Sequence, residues 1–461
     1  MKKYIFFVVG VMCTLLSHTA YAIDLNKSDA NIIGHVLEKK TGEHLPYMTV
    51  ALKGTTIGTM TDGTGHYFLK NLPEGEFILS VSAVGYKPQE RKVTLKRGKT
   101  LEENFELEED MVALDGVVVT ANRNETARRL APTLVKVVTP KLFDMTNSHT
   151  LSQGLVFQPG VRVENDCQNC GYSQVRINGM DGKYTQILID SRPIFSALAG
   201  VYGLEQIPAN MIERVEVVRG GGSALFGSSA IAGTVNIITK EPLRNSGSFA
   251  HSISNFDGSG SFDNNTTLNL SLVSSDNKMG AYLYGQNRHR SAWDSNGDSF
   301  SELPKLKNQT VGVNAYYRLS PYSKLNLEYH HMEEFRRGGN RFDLPPHIAE
   351  DANLNGSGEP GLVEQIEHSI NTGGLKFSAF SKDQKHAFNA YASAQHIVRD
   401  SYYSAYGHTT DFTGVLGVQY IYHFDKLFFM PSDLTGGVEF NHDNLDDKAT
   451  DMQKYQIGRA S

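Results

Sequence analysis

After Asn245 the chain settles into long alternation of apolar and polar positions with a period of two. Thr267-Leu-Asn-Leu-Ser-Leu, Val311-Gly-Val-Asn-Ala-Tyr-Tyr-Arg-Leu, Leu325-Asn-Leu-Glu-Tyr-His and Val415-Leu-Gly-Val-Gln-Tyr-Ile-Tyr-His-Phe each put apolar or aromatic side chains on one face and polar ones on the other. A soluble sandwich alternates in the same way, so the connections have to decide. Ser274-Ser-Asp-Asn-Lys, Ser320-Pro-Tyr-Ser and Ser381-Lys-Asp-Gln read as tight joins, whereas Trp293 to Lys305, Arg336 to Gln365 and Asp400 to His408 read as long ones. Short turns on one rim and long loops on the other are expected of a membrane-spanning antiparallel barrel, and tyrosines near strand ends suit aromatic girdles at the two interfaces.

Upstream the texture differs. From Asn31 to about Leu107, short strands such as Ile32-Ile-Gly-His-Val, Met48-Thr-Val-Ala-Leu and Glu76-Phe-Ile-Leu-Ser-Val are punctuated by Asp62-Gly63 and Pro73-Glu-Gly75, the spacing of a small β-sandwich. Glu102 to Asp110 is acidic and reads as a solvated linker. Leu114-Asp-Gly-Val-Val-Val-Thr-Ala is a β-branched run that suits either a buried strand or an exposed extended segment. A middle globule then runs from about Thr126 to Pro242. Its expected elements are a strand at Leu134-Val-Lys-Val-Val, a short helix over Ser148 to Phe157, a strand at Val161-Arg-Val-Glu, and two strands, Ser173 to Gly179 and Gln186 to Ile194, paired around the Asp181-Gly turn. Met211 to Lys240 closes the globule with two strands flanking a crossing rich in glycine, which lets the chain turn sharply and pack close to a neighbour. It lacks the Gly-Lys-Ser/Thr of a phosphate loop.

Ile212-Glu-Arg-Val-Glu-Val-Val-Arg-Gly, Ser223-Ala-Leu-Phe-Gly and Ala232-Gly-Thr-Val-Asn-Ile-Ile-Thr-Lys resemble the end of the plug domain of TonB-dependent outer-membrane receptors, with Gly221 standing where the family usually has proline. Leu155-Val-Phe-Gln-Pro-Gly-Val and Val175-Arg-Ile-Asn-Gly are similar to plug motifs as well, and Thr61-Asp-Gly-Thr-Gly-His-Tyr-Phe resembles the carboxypeptidase regulatory-like domain found ahead of some of these receptors. The resemblance implies a mainly β chain: a signal peptide over 1–22, a β-sandwich over 23–107, a linker over 108–125, an α+β plug over 126–242, and part of an outer-membrane barrel over 245–461. Gly116, Val117, Val118, Val119 and Thr120 match the TonB box, which an energy-transducing partner would pair with by adding a strand edge to edge. Arg176, Glu213, Arg214, Glu216 and Arg219 are the candidates for charged contacts seating the plug against the wall, against the plainer alternative of solvated strand faces. The residues after Lys240 supply roughly ten strands, where the family closes a wall of about twenty-two. The chain is therefore expected to be truncated in its barrel.

Composition narrows the function classes. A net charge of −6 leaves no basic footprint for nucleic acid. Lys2 and Lys3, an apolar core from Ile5 to Leu16 and Ala20-Tyr21-Ala22 form a secretory signal cleaved near Ala22, so the chain is exported. Cys167 and Cys170 in Asp-Cys-Gln-Asn-Cys-Gly suit a metal half-site, a redox pair or a local disulfide, and an oxidising compartment favours the disulfide. The sixteen histidines are scattered along the chain and no catalytic constellation is visible, so no enzyme is expected. Asp294, Asn296, Asp298 and Glu302, and again Asp351, Asn353, Asn355 and Glu359, offer oxygens at calcium-like spacing, though neither loop has Glu at position twelve and solvated turns look the same.

By resemblance, then, the protein is expected in the outer membrane of a Gram-negative bacterium. Its partners would be membrane lipid, a TonB-type transducer, a surface lipoprotein, and a large scarce ligand, with cobalamin ahead of ferric siderophore, haem or oligosaccharide. A non-transporting receptor or adhesin on the same barrel is the other reading. No cofactor is called for beyond calcium in the outer loops.

Overall fold

The computed structural model describes residues 29–46, 48–83, 86–108, 117–118, 120, 126–127, 134–167, 172–193, 207–222, 226–227, 230–258, 260–351, 361–383, 385–427 and 430–450. The signal peptide expected over 1–22 lies outside them. Eight strands build the N-terminal sandwich: β1 (Ala30–Glu38), β2 (Thr49–Leu52), β3 (Gly58–Met60), β4 (His66–Leu72), β5 (Gly75–Ser82), β6 (Gln89–Leu95), β7 (Thr100–Glu102) and β8 (Phe105–Leu107). One sheet pairs β4, β1, β7 and β8, and the other runs β3-β2-β5-β6. Alternate residues Ile32, Val36, Val50, Leu69, Leu79 and Val81 fill the space between the sheets. The acidic run is not all linker, because Phe105 and Leu107 are fully buried in this core and carry Glu106 with them.

Between sandwich and plug, β9 (Val117–Val118) pairs antiparallel with β10 (Thr126–Ala127). The plug holds β11 (Val135–Val138), α1 (Pro140–Met145), α2 (Leu151–Leu155), β12 (Val161–Cys167), β13 (Tyr172–Ile177), β14 (Thr185–Ile189), β15 (Ile212–Arg219) and β16 (Gly233–Thr239). Its central sheet runs β11-β15-β16-β14, with β12 and β13 as a separate hairpin. β15 and β16, the two arms of the glycine-rich crossing, are direct antiparallel neighbours. The expected β13–β14 pairing does not form. A 3-10 turn at Gly182–Tyr184 redirects the chain, so β14 pairs parallel with β16 while β13 folds back on β12.

Among the described residues nine strands follow in one antiparallel sheet, in sequence order: β17 (Ser246–Asn255), β18 (Phe262–Val273), β19 (Met279–Arg290), β20 (Lys305–Ser320), β21 (Ser323–Gly339), β22 (Val363–Phe380), β23 (His386–Tyr403), β24 (Tyr406–Leu427) and β25 (Met430–Thr450). Strands β20 to β25 run from 16 to 22 residues, against the ~9–11 that cross a bilayer, so they stand well clear of it. The Asp400 to His408 join is not long: β23 and β24 stay paired up to Tyr402 and Tyr406, leaving a tight turn at Ser404-Ala405.

The polarity of this sheet is the reverse of a soluble sandwich. Along β20 the buried positions include Asn308, Thr310, Asn314 and Arg318 beside Leu306 and Tyr316, while Val311, Tyr317 and Leu319 face outward past the exposed Lys307 and Gln309 at its start. On β18 and β24, Leu268, Leu270, Leu272, Leu416 and Val418 are likewise exposed. A greasy outer face over a polar inner one makes sense only if the outside is hydrocarbon. No helix among the described residues is long and apolar enough to cross a membrane.

The sandwich rests on this wall. Tyr322, in the turn between β20 and β21, packs on the sandwich core, and the Thr56 amide donates to the Pro321 carbonyl at 2.8 Å.

Candidate functional site

The first functional feature is where the linker enters the plug. Glu216 on β15 is completely buried, and a buried carboxylate needs donors. It accepts from the Thr120 amide at 2.8 Å and the Thr120 hydroxyl at 2.6 Å, and from Arg214 Nε at 2.8 Å. Asn236, opposite Glu216 on β16, donates to Thr120 Oγ1 at 3.0 Å and to Ser191 Oγ at 3.1 Å, and accepts from the Ser191 amide at 2.9 Å. The last residue of the TonB-box-like segment is thus bolted to the two central strands of the plug instead of hanging free, because Glu216 requires it there. Val117 and Val118 lie in the small β9–β10 ladder. Gly116 and Val119 lie outside the described residues.

The second feature is the seat of the plug against the wall. Arg192, beside the end of β14, reaches Glu328 on β21 at 2.5 Å and Asp190 at 3.7 Å, with Arg192 only 5% and Glu328 13% exposed in their side chains. Gly374 on β22 leaves room for this pair, since a Cβ there would stand 2.4 Å from Arg192 Nη1. Asn210 donates to Asn269 at 2.9 Å and to the Gly285 carbonyl at 3.1 Å, and its own carbonyl accepts from Tyr282 at 2.8 Å. His149 meets Ser252 at 3.2 Å, and burial followed by the nearby Arg288 guanidinium holds its imidazole below the usual value.

The residues expected to form the seat are engaged elsewhere. Arg176 pairs with Glu164 and, at 3.3 Å, with Asp181; Arg214 and Glu216 pair with each other. All of these contacts are internal to the plug. Arg219 lies against Gly160, also within the plug. Glu213 lies close enough to Lys240 and to Tyr282 on the wall to act on both electrostatically. Charged contacts across the boundary fall instead to Arg192 and to Glu241, which Lys324 on β21 meets at 2.9 Å; sequence reasoning placed Arg192 inside the strand that begins at Gln186 and assigned it no role.

On the outer rim, oxygens of Asp294, Asp298 and Glu302 lie within 4.8 Å of one another. Asn296 caps the same turn, accepting from the Asp298 amide at 3.0 Å and donating to the Asp298 carboxylate at 3.0 Å. In the second loop Asp351 is exposed. Asn353, Asn355 and Glu359 lie outside the described residues, as does Cys170, and of Cys167 only the backbone is described.

Two family models match: a CarboxypepD_reg-like domain over residues 32–119 and a TonB-dependent receptor plug domain over residues 127–234. A vitamin B12 transporter, BtuB, of Vibrio vulnificus is 33% identical over 229 residues, covering 43% of this chain and 37% of the transporter. The BtuB of Photobacterium profundum is 37% identical over 128 residues, 27% of this chain and 20% of the transporter. In each case the match spans well under half of the curated relative's length. Among solved structures, the siderophore receptor PirA from Acinetobacter baumannii superposes with a TM-score of 0.58 at 19% identity, over 69% of this chain and 49% of that one. The ferripyoverdine receptor of the outer membrane of Pseudomonas aeruginosa gives 0.58 at 13% identity, over 78% and 52%. The chain thus carries, in order, a CarboxypepD_reg-like sandwich, a TonB-dependent receptor plug domain with its linker bolted in place and, among the described residues, nine strands of an inside-out wall, a fold it shares with these outer-membrane receptors.

Proposed function

We propose that the protein takes up a large scarce ligand across the outer membrane of a Gram-negative bacterium, driven by a TonB-type partner that pulls on residues 116–120, and that it catalyses no reaction. The observation that carries this is the attachment of Thr120 to Glu216 and Asn236. Force applied to the segment reaches the two central plug strands through three hydrogen bonds that have no slack. β15 and β16 carry Ile212, Val215, Val217, Val235 and Ile237 into the plug core, so drawing on that corner loosens the stopper from inside. The wall contacts at Arg192 and Asn210 hold the remainder in place.

For the ligand we favour a corrinoid of the cobalamin class. Support comes from the likeness to vitamin B12 transporters over 229 residues, which extends past the plug, whereas the siderophore receptors share the fold at lower identity. The Asp294, Asp298 and Glu302 oxygens form a hard, acidic cluster suited to calcium, which would stiffen the outer loop against the ligand. Deleting residues 116–120 is expected to abolish uptake of labelled cobalamin by energised cells and to leave equilibrium surface binding unchanged. Undiminished uptake would overturn the pulling role. Surface binding should weaken when calcium is chelated; absence of cobalamin binding at any calcium level would overturn the ligand assignment alone.

A further inference from the structure

Three histidines that are far apart in sequence meet on the outer face of the sandwich. His35 on β1 and His66 on β4 are direct cross-strand partners. The turn after β1 folds back so that His44 bridges to Leu37, and its Cβ lies where a side chain on residue 65 would be: a Cβ built on Gly65 would stand 2.8 Å from it. Gly65, at φ +76°, is what allows this approach. The ring centroids are 5.3 Å apart for His35 and His44, 5.8 Å for His35 and His66, and 5.0 Å for His44 and His66.

Those separations suit a shared ion. With metal–nitrogen bonds of about 2.0–2.1 Å, each ring centroid lies about 3.2 Å from the metal, so two imidazoles at a tetrahedral angle have centroids about 5 Å apart. In the arrangement seen, the three nitrogens do not all converge within 4.8 Å. Closing the site takes rotation of partly exposed rings about χ1 and χ2 between staggered wells.

One ring is already prepared for this role. Asp62 Oδ1 accepts from the Thr64 hydroxyl at 2.7 Å, the Thr64 amide at 2.8 Å and the His66 amide at 3.0 Å. A carboxylate at neutral pH has no proton to give and only accepts. Thr64 has one proton and gives it to Asp62. Its oxygen can therefore only accept from His66 Nδ1, 3.1 Å away, which makes Nδ1 the protonated nitrogen and leaves the lone pair on Nε2. A carboxylate acting through a hydroxyl to fix the tautomer of an imidazole is how outer groups prepare a metal-binding histidine.

We propose that His35, His44 and His66 form a site for one divalent transition-metal ion of the zinc–copper group, with water in the fourth position. Imidazole donors select such ions over calcium or magnesium. The site does not depend on the transport reading, and its test uses no transported ligand. Untagged full chain in detergent is titrated with Co2+, an ion whose visible spectrum reports coordination, and then with Zn2+. The expected result is an intense four-coordinate cobalt band saturating at one equivalent and displaced by zinc. His44→Ala and His66→Ala should each abolish the band with unchanged far-ultraviolet dichroism and metal-free melting, since both side chains are exposed. Thr64→Val should keep the stoichiometry and weaken binding by about tenfold, the loss typical of an outer partner. A cobalt spectrum of the six-coordinate aqua type, or a four-coordinate band that survives both histidine substitutions, would overturn the proposal.

Discussion

Replacing Glu216 with alanine is expected to unlock the plug and eliminate uptake. The substitution leaves the Arg214 guanidinium, whose side chain is 20% exposed, without its carboxylate and the fully buried Thr120 amide without its acceptor. Removing one partner of a buried pair costs about 3–5 kcal/mol, because the other charge stays behind uncompensated. The amides of β15 and β16 should then exchange with deuterium far faster, roughly in proportion to that loss of local stability, and the linker should become protease-sensitive. Glu216→Gln keeps an oxygen for Thr120 and loses only the charge, so it should fall between the two. Exchange in the alanine variant as slow as in the parent would show that Thr120 is not held through Glu216.

Removing Glu328 acts at the other end of the plug. Glu328→Ala strands Arg192, which is nearly sealed from solvent and whose other carboxylate among the described residues is Asp190 at 3.7 Å. The expected cost is again about 3–5 kcal/mol, near the low end because Asp190 remains. Unlike the Glu216 variant, this one should keep the linker attached and let the plug rock in the wall, seen as ion conductance through bilayers holding the protein. Pairing Arg192→Met with Glu328→Met should restore most of the seal, since two apolar side chains of similar volume carry no desolvation penalty. Failure of the double variant to recover would mean that Arg192 seats the plug through other contacts.

The features that could be read from the sequence were those that repeat locally. Alternation marked the strands of the wall, and the β-branched arms of residues 211–240 marked β15 and β16. Partners across long loops were not legible. β14 reads as half of a hairpin with β13, yet it pairs in parallel register with β16, a strand far along the chain that no local period could name as its partner. Arg214 and Glu216, two apart on one strand, do share a face. Which face looks at the wall is decided by packing, and here that face points into the plug, where Glu216 meets Thr120 from 96 residues away. The histidines show the same limit. Positions 35, 44 and 66 look scattered until cross-strand pairing and one glycine bring them together.

The outward greasy face of residues 246–450 supports every other inference about the receptor, and it can be probed without changing a residue. Protein in bilayers is photolabelled with a diazirine carried on the lipid acyl chain, and the adducts are mapped by mass spectrometry. The account predicts adducts on Leu268, Leu270, Leu272, Val311, Leu416 and Val418 and none on Asn308, Thr310, Asn314 or Gln395, whose side chains point inward. Lipid adducts missing from the leucine and valine positions, with water-borne radicals oxidising them instead, would contradict it.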